Sequence, residues 1–600
     1  MNLKENLLNN KPLAAIAVLF GLFVIFIIWG TLTLLFLGKE LTSKSALFLF
    51  DLITSSDTSI QSAKAYEDSA TLTFFSTVIL IVLIFGKGKN QKLHGDARFG
   101  NKRDLKKLGW VCDNGFILGR KGGDFIAMPI EDNRFVLVIA PTRRGKGVSL
   151  IIPNLLNWPQ SVVVSDIKLE NFKLTSGFRK AAGQEVYLIN LGARDGHSHC
   201  WNPLDYISDN ENFRVSDIDR IASMLIKGKG DDIWVPEART LFRGIVLLLI
   251  ELGGEYPITL GEVYRQNNTV QCEAEYFKEM VSMHKGILST QCQMALMSYA
   301  TNADKTRKGI KSQLNSSLSL FASPVIDAIT SKSDFNFADL RKRKITVYMG
   351  TPPNQLASLD KLLALFWEQL ISVNTENEEH DVKCLLLMDE FAALGRLESI
   401  ERSIGYIASY GLKLCPILQS RSQLVETYSE HVCENFMENH AVWVVMTPRT
   451  ITAAELIANE IGNITTKTHS KGKSTGEKST SYSKNESEAK RHLILPQELK
   501  KMGDKKSLLL IDEVDPIYVE RLKYYKMPEF QERLLPPITA SEIEIVNYSA
   551  RGVISTDGAD YEMFDDFGGM TQECNIDPQQ EVYTDEEIER TASLFLQQFN

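Results

Sequence analysis

Lys146 sits in the run Ala140-Pro-Thr-Arg-Arg-Gly-Lys-Gly-Val-Ser149, a glycine-bearing turn with one lysine near its end. Placed between a strand and a helix, such a turn offers successive backbone N–H groups and a helix N-terminus to anionic phosphates. The lysine adds a point charge on the β and γ phosphates. Ala140, Pro141, Thr142, Arg143, Arg144, Gly145, Lys146, Gly147 and Val148 are therefore the candidate nucleotide-binding residues. The match to the pattern GxxxxGK[ST] is incomplete. Ala140 stands where the first glycine would be, and Gly147 where the Mg²⁺-ligating hydroxyl is expected. Thr142 and Ser149 are the nearby hydroxyls that could substitute for it.

Lys383-Cys-Leu-Leu-Leu-Met-Asp389-Glu390 is an apolar run ending in two carboxylates, the form of a Walker B strand. There Asp389 would hold Mg²⁺, directly or through water, and Glu390 would polarise the attacking water as general base. An acid pair after a strand can equally cap a helix. The phosphate loop upstream favours the catalytic role. Gln419 ends the run Leu412-Lys-Leu-Cys-Pro-Ile-Leu and could sense the γ-phosphate or orient the water; Asp166 ends Ser161-Val-Val-Val-Ser. Ligands gather at the carboxyl ends of strands in an open parallel sheet, so both would border the same nucleotide. Loop capping is the plainer role for either.

These side chains need a framework. Arg134–Ala140, Ser161–Asp166, Ile345–Met349, Lys383–Met388 and Leu412–Gln419 are continuous apolar runs of strand length, suited to a parallel sheet covered on both faces. Residues 208–331 are rich in helix formers with few strand-like runs. The stretch Ala238–Leu252 is one apolar helix, most simply a core helix, and Trp234 just before it could cap that core or touch a substrate.

Six hundred residues exceed one hydrophobic core. Apolar residues make up 44% and charged residues 24%, which excludes disorder of the whole chain. The net charge of −9 is uneven: from Pro536 onward there are 14 acidic residues and two basic ones, leaving 64 basic and 61 acidic in residues 1–535. A near-neutral body does not argue against nucleic acid. Eight cysteines show no CxxC pair and no zinc spacing, as free thiols in a reducing compartment would.

Leu13–Gly38 has no charge over 26 residues, enough for a transmembrane helix, and Ser69–Gly86 is a second candidate of 18 residues. The flank after residue 86 is dense in lysine and arginine. Both termini and the body are therefore expected inside, with residues 39–68 as a short outer loop. Asn463–Lys490 is Ser/Thr/Lys-rich and nearly free of apolar residues, so it is expected as a solvated loop. Its Lys467, Lys471, Lys473, Lys478 and Lys484 could brush a phosphate backbone. The acidic tail carries apolar islands, Tyr561–Phe564 and Ala592–Leu596, which would suit folding on a basic partner.

The motifs HGDARFG (His94–Gly100), APTRRGKGVSLIIPNLL, SVVVSDIKLENFKLTSGFR, WNPLDYI (Trp201–Ile207) and DFNFADLRKRKITVYMG (Asp334–Gly350) come in a fixed order. LLLMDEFAALGRLESI, ASYGLKLCPILQSRSQL (Ala408–Leu424) and RHLILPQELKKM (Arg491–Met502) follow them. In this order they resemble the coupling proteins of type IV secretion systems, TraG/TraD type. The resemblance implies an α/β fold: a RecA-like P-loop NTPase domain, 91–207 and 332–535, with an inserted all-α domain at 208–331. It also implies a membrane anchor at 1–90 with two transmembrane helices and an acidic C-terminal tail at 536–600. It further implies a homohexameric, inner-membrane ATPase using ATP and Mg²⁺. Such proteins deliver a relaxase with single-stranded DNA, or effector proteins, to inner-membrane components of the secretion channel. In that family glycine commonly follows the P-loop lysine, which makes Gly147 less damaging. A ring ATPase also needs an arginine from the neighbouring subunit. Arg396, Arg421, Arg449 and Arg491 are candidates by position. Two other readings stand beside this one: a substrate receptor with little ATPase activity of its own, and a chromosome-partitioning DNA pump, against which the acidic tail argues.

Overall fold

The computed structural model describes residues 93–228, 233–269, 272–475, 480–546 and 548. Both expected membrane spans, 13–38 and 69–86, and the tail islands lie outside these residues. Among the described residues no helix is long and apolar enough to cross a membrane. The chain divides into two compact units: the larger runs from Ala97 to Asn463 and resumes at His492, and the smaller includes residues 93–96 and 464–491.

The larger unit is built on eleven strands. In chain order they are β1 (Phe116–Lys121), β2 (Asp124–Met128), β3 (Val136–Ile139), β4 (Ser161–Asp166), β5 (Glu185–Asn190), β6 (Ile345–Gly350), β7 (Cys384–Met388), β8 (Leu412–Leu418) and β9 (Val442–Val445). The ladder strands β10 (Asn463–Thr475) and β11 (Thr480–His492) form a separate sheet, and β12 (Lys506–Ile511) and β13 (Val514–Glu520) rejoin the first. Spatial order is β2-β1-β13-β12-β9-β3-β8-β7-β4-β6-β5. From β9 to β5 every neighbouring pair is parallel. From β9 outward through β12, β13, β1 and β2 each pair is antiparallel.

The apolar strands form because both faces are covered. Along β3, Leu137 and Ile139 enter one core while Val136 and Val138 enter the other, and β4 alternates likewise with Val163 against Val162 and Val164. Between Tyr206 and Ile345 every regular element among the described residues is helical. Trp234–Glu251 is the hub; Ala238, Leu241, Phe242 and Ile245 to Leu249 are all buried, while Glu237 is exposed and Arg239 and Arg243 are half-buried on its remaining face. Trp234 lies against Gly309. This helical segment shares one continuous core with the sheet face carrying Leu137 and Val163. An aromatic junction joins the two: Trp201 meets Phe366 edge-on at 5.1 Å, and Phe337 meets Phe366 at 5.0 Å.

The smaller unit corrects one expectation. The segment 463–490, read as a solvated loop, forms the two paired strands β10 and β11. Thr466 Oγ1 donates to the Ala489 carbonyl at 3.1 Å and Thr468 Oγ1 to that of Ser487 at 3.0 Å, pairings that run in opposite directions. A ladder satisfies its own backbone without burying apolar surface, and threonine favours extended backbone. Lack of burial was therefore the wrong test for strand structure. Lys467, Lys471 and Lys473 fall within β10 and Lys484 within β11, whereas Lys478 lies outside the described residues.

Of the described cysteines, five are buried, Cys112 is half-buried and Cys272 exposed, and none is in a disulfide.

Candidate nucleotide-binding site

The site lies where four parallel strands end side by side. β3 runs into the glycine-bearing loop, and the Ala140 N–H continues its ladder by donating to the Leu418 carbonyl at 2.8 Å. Next to it, β8 ends at Gln419, β7 at Asp389 and β4 at Asp166; pairing Val164 with Leu387 and Leu387 with Cys415 brings these ends level. Pro141 is buried, Thr142 and Arg143 are exposed, and Arg144 and Val148 are half-buried.

The loop's shape needs two residues with positive φ, Arg143 at 59° and Gly145 at 71°. Beyond Lys146 the chain enters a wide π-type turn, Gly147–Ile151, in which the Ile152 N–H reaches the Gly147 carbonyl. Such turns are uncommon and cluster at functional sites. Ser149 is buried, with its hydroxyl donating back to the Gly145 carbonyl at 2.9 Å. Its proton is committed to the loop itself.

Lys146 reaches across to both acids, with Nζ 2.7 Å from Asp389 Oδ1 and 2.8 Å from Glu390 Oε2. Burial works against its ammonium, but the two carboxylates outweigh that and raise its pKa. Burial raises the Asp389 pKa, opposed by Lys146. Gln419 donates from Nε2 to the other carboxylate oxygen of Glu390, Oε1. Glu390 holds this position with a left-handed backbone, φ 62°, unusual for a residue with a Cβ. Ser165 at the end of β4 donates its hydroxyl to the Asp389 carbonyl at 2.6 Å.

Asp166 has a different task. Its carboxylate is buried and accepts from the Phe172 N–H at 2.7 Å, in the first turn of the helix Glu170–Ala181. Burial, aided by the Asp389 charge, pushes its pKa up to about 6 against these backbone bonds.

Two carboxylates facing one ammonium leave the cluster short of positive charge, and their oxygens are the donors a hard divalent cation prefers. Asp389 and Glu390 are the carboxylates in this cluster that could hold such a cation. Of the four arginines considered for a role in a neighbouring subunit, Arg396 pairs with Glu401 at 2.9 Å and Arg421 with Glu430 at 2.5 Å. Arg449 follows β9 and is exposed, as is Arg491.

Two residues that clasp the loop, Asp504 and Arg521, carry no local motif. Arg144 pairs with Asp504 at 3.2 Å, and Arg521 Nη2 donates to the Arg144 carbonyl. Two antiparallel reversals, β9 to β12 and β12 to β13, restore the direction of β3. The start of β12 and the end of β13 therefore reach the same sheet edge as the loop. The only signal would have been a charged residue flanking each of the last two strands, and that needs their pairing to be known.

The family model for conjugative DNA transfer by the type IV secretory system matches residues 88–544. Over 480 residues the chain is 32% identical to protein VirD4 of Rhizobium radiobacter, covering 76% of this chain and 67% of that one. It is 28% identical to conjugal transfer protein TraG of Escherichia coli over 530 residues, 78% of this chain and 82% of the relative. Among solved structures, the bacterial conjugative coupling protein TrwBdeltaN70 in its unbound form superimposes with a TM-score of 0.54 at 16% identity, over 75% of this chain and 98% of that one. TrwB in complex with ADP and Mg²⁺ gives 0.53 at 16% identity, over 78% and 98%. These structures share the α/β NTPase fold. The strand ends that bring Lys146, Asp389, Glu390 and Gln419 together lie inside the matched region, and the chain belongs to the type IV secretory system conjugative DNA transfer family.

Proposed function

We propose that this chain is the coupling ATPase of a conjugation system, binding ATP with Mg²⁺ at the Lys146 loop and using hydrolysis to pass substrates to the secretion channel. The observation that carries the reading is the cluster in which Lys146 bridges Asp389 and Glu390 while Gln419 holds the remaining Glu390 oxygen. Lys146 offsets part of the charge of the two acids; with a polyphosphate present its ammonium has a competing anion to serve. The loop amides of Gly145 to Val148 receive phosphate oxygens. Mg²⁺, held by Asp389, would spread the phosphate charge during transfer. Glu390, freed from Lys146 but still fixed by Gln419, accepts a proton from the attacking water as general base.

The likeness to VirD4 and TraG supports a relaxase with single-stranded DNA, or effector proteins, as cargo, with inner-membrane channel components as the receiving partners. The same likeness supports a homohexamer with its site completed by an arginine of a neighbouring copy. Residues 13–38 and 69–86 supply the inner-membrane anchor, and the domain limits are 91–207 with 332–535, 208–331 and 536–600. The lysines of the 463–490 ladder would meet the DNA backbone without sequence preference.

The test is ATP turnover by the purified full chain with and without single-stranded DNA. DNA-stimulated hydrolysis abolished by Lys146→Ala and by Glu390→Gln is the expected result. Turnover that persists in both variants would sink the assignment of the site. No turnover in the wild type, with substrates still captured, would favour a receptor instead.

A further inference from the structure

Two consecutive carbonyls of the phosphate loop are caught by side chains. Arg521 Nη2 donates to the carbonyl of Arg144 and lies 3.4 Å from Ser149 Oγ; the Ser149 hydroxyl donates to the carbonyl of Gly145 at 2.9 Å. In a planar trans peptide C=O and N–H point in opposite directions. Holding these two carbonyls on the side of Arg521 and Ser149 turns the N–H groups of Gly145 and Lys146 the other way. A row of convergent N–H groups is what an anion-binding nest requires.

Arg521 is anchored for this task. Its own N–H donates to the Lys505 carbonyl at 2.9 Å, which fixes its backbone at the β12–β13 end of the sheet. A Cβ at Gly145 would stand 3.2 Å from Arg521 Nη2, so the guanidinium lies directly against the loop. It is also not saturated: Nε and Nη1 are buried and have no hydrogen-bond partner among the described residues. An unsatisfied buried guanidinium is unfavourable in a plain structural role. Beside an anion site it supplies charge and donors where phosphate needs them.

We propose that Arg521 is a positioning residue for nucleotide phosphate, holding the Arg144–Gly145 peptide in the orientation that presents the loop amides and adding its charge to the cradle. This rests on the ATPase reading above. A second consequence is that the C-terminal strands, not only β3, set the affinity of the loop.

The test compares Arg521→Met, Arg521→Lys and Lys146→Ala in the full chain, reading KM for ATP, kcat at saturation and the thermal midpoint without nucleotide. Arg521→Met is expected to raise KM about tenfold or more, the scale of one lost charge-assisted hydrogen bond, with kcat within about twofold, the pattern of a lost uniform binding contribution. Arg521→Lys, which keeps the charge but not the fork, is expected to raise KM about threefold. A KM within about twofold of wild type in the Met variant, or a loss confined to kcat, overturns the proposal. Should the Met variant not fold, the Lys variant decides alone: a threefold rise in KM supports the role, and an unchanged KM overturns it. Lys146→Ala separates the two failures. If it is inactive while the Arg521 variants behave as wild type, only this inference falls; if it hydrolyses ATP normally, the site assignment falls first.

Discussion

Gln419 and Lys146 divide the Glu390 carboxylate between them, Nε2 of Gln419 taking Oε1 and the Lys146 ammonium taking Oε2 at 2.8 Å. In the general-base role proposed for Glu390, its carboxylate would be aimed by a neutral amide that need not move when the lysine serves a phosphate. Gln419→Leu keeps the size and removes the donor. It is expected to lower kcat about 10- to 100-fold, within the range of a general-base contribution, with KM for ATP nearly unchanged. A change in KM alone would assign Gln419 to ground-state binding.

Arg179 is a buried guanidinium in the helix Glu170–Ala181, donating to the carbonyls of Leu155 and Trp158 at 2.9 Å, of Gln160 at 2.7 Å, and to Thr346 Oγ1 at 2.6 Å. It ties the end of the helix after the phosphate loop to β6. Burial brings its pKa down to about 10, so it stays charged at neutral pH. Arg179→Met fills much of the volume but strands those acceptors, and should cost about 3 kcal/mol or more. A thermal midpoint within a degree of wild type would contradict this.

His440 is buried between Phe135 and Phe436, its Nδ1 donating to the Phe436 carbonyl at 2.6 Å. Burial lowers its pKa to about 4. The folded chain keeps this ring neutral while the unfolded chain protonates it below about 6.5. Stability contributed by the neutral ring is complete above about 6.5 and lost as pH falls towards 4, to a total of about 3 kcal/mol. His440→Phe should flatten the decline of the thermal midpoint between those pH values. An equally steep decline in the variant would place the acid sensitivity elsewhere.

Gly177 lies in the middle of a helix, where alanine would ordinarily stabilise by about 1 kcal/mol. Here an added Cβ would stand 2.0 Å from the Pro536 carbonyl oxygen, where the C-terminal strap crosses and Ile538 donates to Ser176 Oγ at 3.3 Å. Gly177→Ala should therefore destabilise, by about 2 kcal/mol, and speed proteolysis between residues 536 and 543. A stabilised variant would show that the strap is readily displaced.

Five of the seven parallel strands were legible because each is a short, mainly apolar run, the signature of a strand buried on both faces; β5, with its Glu185 and Asn190, and the four-residue β9 were not. Lys146, Asp389, Glu390 and Gln419 were legible as candidates for the same reason: each stands at or just beyond the end of such a run. What the residues could not reveal was relative placement. Asp504 and Arg521 carry no local pattern, since their link to Arg144 depends on two strand reversals more than 300 residues downstream of it. The left-handed backbone of Glu390 is equally silent, because the surrounding sheet imposes it against the residue's own preference. The ladder at 463–492 was missed because hydrophobicity reports burial, and that ladder is held by its backbone.

The order of strands also has a history in time. β1, made early, pairs on one side with β2 and on the other with β13, which ends at Glu520. At the 5–20 residues per second of protein synthesis, the ribosome needs about 20 to 80 seconds after β1 emerges before the strand that closes that edge exists. Through that interval the β1 edge is an open template, and the phosphate loop lacks the arginine that grips it. A chain that ends before Arg521 therefore lacks both the strand that covers β1 and the side chain that holds the Arg144 carbonyl.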